Sequence, residues 1–166
     1  MQKINRYIRK ISFLSAFLIL SLALIGYYFL FDWLYLYWKE FDIIFEEEPY
    51  SHHKTFLGLF WGAVVIAPLL ETLISQVAVF HLLRLISWLR KRECYIVIIG
   101  GILFGIIHFS SLSHIIATTF LGIFLMYVYA IRRRKGGYWI VVLLHAYWNG
   151  MVLLLDKFSA EPVFVF

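Results

Sequence analysis

Charge, cysteine and proline are all scarce in this sequence of 166 residues, which has one cysteine and three prolines. Charged residues make up only 15% of the chain and hydrophobic residues 63%, with a mean hydropathy of +0.83. Soluble domains have about a quarter charged residues, so the composition excludes an ordinary soluble fold. The lone Cys94 excludes an internal disulfide framework. The net charge of +5 comes from short basic blocks between apolar runs, which does not indicate nucleic-acid binding.

Five apolar runs approach or reach the ~20 residues that a helix needs to cross a membrane. The first is too long for the apolar core of a signal peptide, about 7–15 residues, so we predict an uncleaved helix. The connection 32–54 is polar and rich in aromatic residues, and we predict that it lies at the outer membrane interface. The sequence thus predicts an all-α, polytopic transmembrane bundle, one domain over 1–166. Its predicted spans are 11–31, 55–83, 94–109, 115–131 and 138–155.

The basic residues predict the orientation of these spans. Twelve of the 15 lysines and arginines fall in three blocks, within 1–10, 84–92 and 132–135. Cytoplasmic loops carry an excess of lysine and arginine, so we expect the N-terminus in the cytoplasm and, after five spans, the C-terminus outside. A bacterial inner membrane suits this pattern, and the endoplasmic reticulum is the alternative. The number of copies in the functional unit is left open.

Four polar residues interrupt the apolar runs. Glu71 is the one carboxylate inside a long run, and a charge at membrane depth costs at least about 2.5–3.5 kcal/mol, so such residues usually have a function. Counted at 1.5 Å per helical residue from the basic ends of their spans, Glu71, His108 and Asn149 lie about 18–21 Å deep and His145 about 12 Å deep. The sequence therefore places these four residues in one layer.

These side chains could perform two kinds of chemistry or none. A carboxylate beside an imidazole can take a proton from water, and His145 and Asn149, four residues apart on one helix face, can donate hydrogen bonds to an oxyanion. Two histidines and a glutamate could instead hold zinc with one position open, although no H-E-x-x-H motif is present. Polar residues in membranes also serve simply as hydrogen bonds between helices. We expect no cofactor, with zinc as the lesser alternative.

Three short motifs resemble those of a known family. They are Pro68-x-x-Glu71-Thr72-x-x-x-Gln76, Phe104-Gly105-Ile106-Ile107-His108 and His145-Ala146-Tyr147-Trp148-Asn149. They resemble the EExxxR, FxxxH and HxxxN motifs of the CPBP family (Abi-like), the intramembrane CAAX and bacteriocin-processing proteases, over residues 55–155. The resemblance implies a glutamic-type endopeptidase in which Glu71 and His108 activate water and His145 and Asn149 form the oxyanion hole. Older descriptions of the family as metalloproteases keep the zinc alternative open.

The first motif departs from the family pattern at two supporting positions. Thr72 replaces the second glutamate and Gln76 replaces the arginine. If those two charges normally pair, their joint loss leaves no buried charge uncompensated. We therefore expect activity to be retained with altered substrate choice.

Three functions compete on this basis. The leading one is an intramembrane endopeptidase that cuts a membrane-associated peptide or protein, such as a pheromone precursor, a bacteriocin leader, a sorting signal or a lipidated C-a-a-X tail. The alternative is a non-catalytic bacteriocin-immunity or scaffold protein of the same fold, which the altered first motif favours. A proton-coupled transporter is disfavoured, because the sequence has no inverted repeat and one carboxylate at depth.

Overall fold

The structure, a computed structural model, describes residues 2–45 and 55–158, with side chains from residue 6 onward. Within these ranges the chain is helical apart from turns and one isolated β-bridge between Ile44 and Ser111. The predicted all-α class is confirmed. The helices are α1 (Gln2–Lys10), α2 (Phe13–Trp38), α3 (Phe56–Leu83), α4 (Ser87–Arg90), α5 (Glu93–Ile106), α6 (Leu112–Arg132) and α7 (Gly137–Phe158).

Four of these helices, α2, α3, α6 and α7, are long and apolar enough to cross a membrane. Their number indicates an integral membrane protein. The predicted third span, 94–109, is a shorter apolar helix of 14 residues, α5, which rises about 21 Å. It ends because the N–H of His108 bonds to the carbonyl of Gly105 in a turn. His108 therefore lies in the connection after α5 rather than inside a helix.

The first span runs further than the sequence predicted. Helix α2 continues to Trp38, so its predicted end at residue 31 is wrong. The side chains beyond Asp32 favour continuation, since they are aromatic or aliphatic and spaced to contact one another along the helix. The Trp33 and Tyr37 rings, four residues apart, lie 5.1 Å from each other. Residues 46–54 of the predicted interfacial connection lie outside the described part of the chain.

Helix α6 lies at the centre of the bundle and α3 at its edge. In the most apolar 18-residue window of each helix, 61% of α6 is buried but only 11% of α3. The buried apolar side chains of α2 recur every four residues, at Ala16, Leu20, Leu24 and Tyr28, and the buried Ser21 adjoins them, so this helix faces the core with one narrow stripe. Because α3 is peripheral, Glu71 lies between the packed core and the lipid-facing side.

Glycines let α5 and α6 pack closely. A Cβ atom at Gly122 would lie 2.7 Å from the Cβ of Phe104, and one at Gly101 would lie 2.6 Å from the backbone nitrogen of Ile123. Close backbone approach through small residues is typical of helix pairs in membranes. This pair fixes the end of α5, and hence the turn that carries His108.

Gly105→Ala is expected to destabilise the protein by about 1–3 kcal/mol, the usual cost of overpacking. The new Cβ would lie 2.7 Å from the carbonyl oxygen of Ile115 and 2.9 Å from the Cα of Thr119, so the two helices would have to separate. Thermal unfolding in detergent measures the effect. Gly26→Ala is the control, since its Cβ would meet nothing within 4 Å. Equal unfolding temperatures for both variants would contradict the packing argument.

The three basic blocks meet at one end of the bundle. The buried Arg132 donates to the carbonyl of Ile8 at 2.7 Å, which ties α1 to α6. Glu93 accepts from Arg133 at 3.0 Å and lies 3.5 Å from Arg84. These contacts place the charged connections together at the same end of the bundle.

At the opposite end of the bundle, the short segment 42–44 after α2 packs against the start of α6, and we call this segment the strap. The carboxylate of Asp42 accepts from the backbone N–H of Ser113 at 2.8 Å and from its hydroxyl. The bridge between Ile44 and Ser111 continues this contact. A carboxylate at the first turn of α6 is favourable because that turn has unpaired N–H groups. The strap therefore holds the segment that directly follows His108.

Candidate active site

Helix α3, which carries Glu71, alternates between α and π geometry. The ordinary α-helical turn Ala67–Glu71 is flanked by π-helical segments, Phe60–Ile66 and Thr72–Ala78. Pro68 lies in the first turn after the first π segment, where its missing N–H interrupts the regular ladder. π-helical turns inside α-helices are frequent at functional sites. Glu71 is the last residue before the second π segment.

Both histidines of the predicted site reach the same oxygen of Glu71. The Nε2 atom of His108 lies 3.5 Å from Oε2 of Glu71, and the Nε2 atom of His145 lies 3.6 Å from that oxygen. Both separations are longer than the ~2.7–3.2 Å of a good hydrogen bond. The structure thus brings together residues from three separate parts of the chain around one carboxylate oxygen.

The other nitrogen of His108 determines where its proton lies. Nδ1 is 2.7 Å from the carbonyl oxygen of Phe104, and a carbonyl can only accept, so Nδ1 carries a hydrogen. In the neutral imidazole, Nε2 is then a lone pair that faces the carboxylate of Glu71. Two acceptors approach to 3.5 Å only if they share a proton, or if a molecule beside them donates a hydrogen bond to each. This end of the site is therefore built to accept a proton.

His145 has the opposite arrangement. Its side chain is only 3% exposed, and its Nδ1 has no hydrogen-bond partner among the described residues. A hydrogen on Nε2 points at the negative carboxylate and is stabilised there, whereas a lone pair would be repelled. The neutral ring therefore carries its hydrogen on Nε2, as a donor. The ring of Phe104 packs against both histidines, with centroids 4.5 Å from His108 and 5.6 Å from His145.

Asn149 does not reach the shared oxygen through a hydrogen bond in this structure. Its Nδ2 donates instead to the backbone carbonyl of Ala63, in the first π segment of α3, at 2.8 Å. A carboxamide nitrogen has two N–H groups, so this contact uses one of them. Asn149 therefore joins α7 to α3 one helical turn beyond His145.

Thr72 and Gln76, the two departures from the family motif, are both completely buried. Neither the hydroxyl of Thr72 nor either amide atom of Gln76 has a hydrogen-bond partner among the described residues. An unpaired buried polar group costs about 1–3 kcal/mol. Both side chains thus place unpaired polar atoms inside the bundle, on the helix that carries Glu71.

A zinc ion needs several donor side chains arranged around one point. In residues 2–45 and 55–158, no group of three or more His, Cys, Asp or Glu side chains is arranged to hold a metal ion. Glu71, His108 and His145 converge on one oxygen atom instead. The described side chains therefore do not fit the zinc site considered from the sequence.

Two neighbours of the site were not expected from the sequence. Tyr138 donates from its hydroxyl to the carbonyl of Leu69 on α3, at 3.1 Å. His114 is only 8% exposed, hydrogen bonds with Ser110, and its ring centroid lies 6.1 Å from that of His108. The spacing Ser110-x-x-x-His114 was the available signal for His114. Tyr138 offered none, because a tyrosine at a span end looks like an interfacial residue.

Comparison with known families identifies the region that contains this site. The model of one protein family, the Rce1-like type II CAAX prenyl endopeptidases, matches this chain. The match covers residues 53–151, which is more than half of the chain. All four predicted catalytic residues fall within that range. No curated protein and no solved structure matches the chain.

Proposed function

The chain belongs to the Rce1-like type II CAAX prenyl endopeptidase family, and from this membership we propose that it is an intramembrane endopeptidase of the glutamic type. One observation carries the proposal. Two imidazoles of opposite hydrogen-bonding character approach a single carboxylate oxygen, at 3.5 and 3.6 Å, and Glu71 and His145 lie in helices able to span a membrane. Such a site can take a proton at one side and donate one at the other.

In the proposed reaction, Glu71 and His108 activate a water molecule. The water lies beside this pair, within hydrogen-bond distance of both Oε2 of Glu71 and the Nε2 lone pair of His108, and donates a hydrogen to each. Its oxygen attacks the scissile carbonyl carbon as one proton passes to Glu71. A new C–O bond forms, and the carbonyl π electrons move to the oxygen, which becomes an oxyanion.

The other side of the site stabilises that oxyanion and releases the products. The Nε2 hydrogen of His145 and the second N–H of Asn149 are the proposed donors, and one such donor is typically worth about 10²–10³ in rate. The tetrahedral intermediate collapses, the C–N bond breaks, and the proton held by Glu71 passes to the leaving nitrogen. The products are a carboxylic acid and an amine, so atoms and charge balance.

The proposed substrate is a membrane-associated peptide or protein that approaches α3 from the lipid. Glu71 retains 31% exposure of its side chain, and its neighbours Leu70 and Ile74 face outward, 55% and 62% exposed. A lipidated C-a-a-X tail is one such substrate, and a leader or pheromone peptide is another. We further propose that the basic end of the bundle is cytoplasmic, in a bacterial inner membrane, according to the positive-inside rule.

The direct test is cleavage of a membrane-anchored peptide library by the purified protein in detergent, with and without a chelator. The library should contain prenylated C-a-a-X peptides and unlipidated peptides of matched sequence. Cleavage that persists in the presence of the chelator supports the glutamic mechanism. Cleavage that stops when the chelator is added supports the zinc alternative. Absence of cleavage across the whole library would reject the peptidase.

The non-catalytic alternative, an immunity or scaffold protein, is favoured by one observation. Thr72 and Gln76 replace the charged residues of the first motif and are completely buried, so the fold tolerates an altered site. Protection or partner binding that persists in a Glu71→Gln variant supports this alternative. Loss of function in the same variant supports the enzyme.

A further inference from the structure

Pro68 deprives one particular carbonyl of its partner. In π geometry each N–H bonds to the carbonyl five residues earlier, and the N–H of Ala67 does so with Gly62. The next bond of this ladder would join residue 68 to Ala63, but proline has no N–H. A carbonyl without a partner is costly in a membrane, where water is not available to replace it.

A side chain from another helix supplies the missing donor. The Nδ2 atom of Asn149 lies 2.8 Å from the carbonyl oxygen of Ala63, the very group that Pro68 leaves unpaired. We infer that Asn149 stands in for the backbone N–H that Pro68 lacks and, together with Tyr138, holds α3 in the conformation that presents Glu71. Asn149 is a positioning residue in this role, separate from its proposed donation to the oxyanion.

Tyr138 supports α3 on the other side of the proline, and we call Asn149 and Tyr138 together the clamp. Its hydroxyl donates to the carbonyl of Leu69 at 3.1 Å, one residue after Pro68 and two before Glu71. Helix α7 thus contacts the α3 backbone on both sides of Pro68, at Ala63 and at Leu69. His145, which lies between Tyr138 and Asn149 along α7, is the residue that faces Glu71 at 3.6 Å.

The clamp explains why the carboxylate lies where two histidines can reach it. A helix with an interrupted ladder can shift or bend at the interruption, and a small shift of Glu71 would change both of its contacts. With both carbonyls held by α7, the turn Ala67–Glu71 moves together with the helix that carries His145. The effect on catalysis rests on the proposed function, whereas the effect on the helix does not.

A double-mutant cycle between Pro68 and Asn149 tests the inference. Pro68→Ala restores an N–H that can bond along the helix and should make the carboxamide of Asn149 partly redundant. Asn149→Ala is therefore expected to slow peptide cleavage about tenfold less in the Pro68→Ala background than in the wild type. An equal loss in both backgrounds would mean that Asn149 acts on the substrate alone, and would overturn the inference.

Hydrogen exchange gives a second readout that needs no activity. Asn149→Ala should increase exchange of the backbone amides over residues 60–78, and Pro68→Ala should reverse this increase. Exchange that remains at the wild-type level in Asn149→Ala would overturn the clamp even in an active protein. If the wild type cleaves no peptide, the exchange cycle still decides the clamp, so the two proposals fail separately.

Tyr138→Phe tests the other half of the clamp by removing a single oxygen atom. The expected result is a several-fold fall in kcat, with KM changed less than twofold, because the turn that carries Glu71 loses a support while the peptide contacts remain. Tyr147→Phe is the matched control, since Tyr147 lies on the same helix but packs against the ring of Phe17. Equal effects of the two substitutions on kcat would overturn the role of Tyr138.

Discussion

Glu71→Gln is expected to abolish peptide cleavage while the bundle remains folded. Glutamine has nearly the same shape as glutamate but cannot take a proton from water, and loss of a general base typically costs about 10²–10⁴ in rate. The loss should lie at the upper end, because Oε2 of Glu71 is the one atom that both His108 and His145 approach. Cleavage of a membrane-anchored peptide measures the effect.

The same substitution should not lower stability. A charge at membrane depth costs at least about 2.5–3.5 kcal/mol before its partners compensate it, so the neutral amide should leave the unfolding temperature equal or higher. Glu40→Gln is the matched control, since Glu40 lies exposed in the 3₁₀ turn after α2 and should leave cleavage unchanged. A folded Glu71→Gln protein that still cleaves would remove Glu71 from the proposed mechanism.

Hydropathy predicted most of the fold because lipid demands long apolar helices with internal hydrogen bonds. It failed at the ends of elements, where side-chain contacts decide. The aromatic residues after Asp32 continue α2 to Trp38, and composition alone could not separate them from an interfacial segment. The end of α5 before His108 was also missed, since it depends on a local turn and not on hydrophobicity.

The depth of each polar residue along its span was the most informative quantity for the site. It predicted that Glu71, His108 and His145 lie together, and the structure places them around one oxygen. The roles of these residues in a reaction remain predictions. Depth could not predict the contact of Asn149 with Ala63. That contact depends on the π geometry of α3 before Pro68, which no pattern in the sequence indicates.

The tautomers of the two histidines predict different responses to the same substitution. Neutral His108 faces Glu71 with a lone pair, because its Nδ1 hydrogen bonds to Phe104, whereas neutral His145 faces it with a hydrogen. Glutamine can donate from its amide nitrogen but cannot take up a proton. His108→Gln should therefore lower cleavage by about 10²–10⁴, as expected for a proton acceptor.

His145→Gln should be milder, since the amide retains a donor near the position of Nε2. We expect a smaller loss than in His145→Ala, where complete removal of an oxyanion donor typically costs about 10²–10³. Cleavage rates for the three variants, each with a measured unfolding temperature, give the comparison. Equal losses for His108→Gln and His145→Gln would contradict the assigned tautomers.

Rescue by free imidazole separates the two positions further. The His108 side chain is 22% exposed and the His145 side chain only 3%, so a cavity left at His108 can admit imidazole while one at His145 is closed off by packing. Added imidazole should therefore restore part of the cleavage in His108→Ala and none in His145→Ala. A rescued His145→Ala would mean that His145 is reached from outside the bundle. The oxyanion side of the site would then be open, and the entry path for the peptide would lie along α7 rather than along the lipid-facing side of α3.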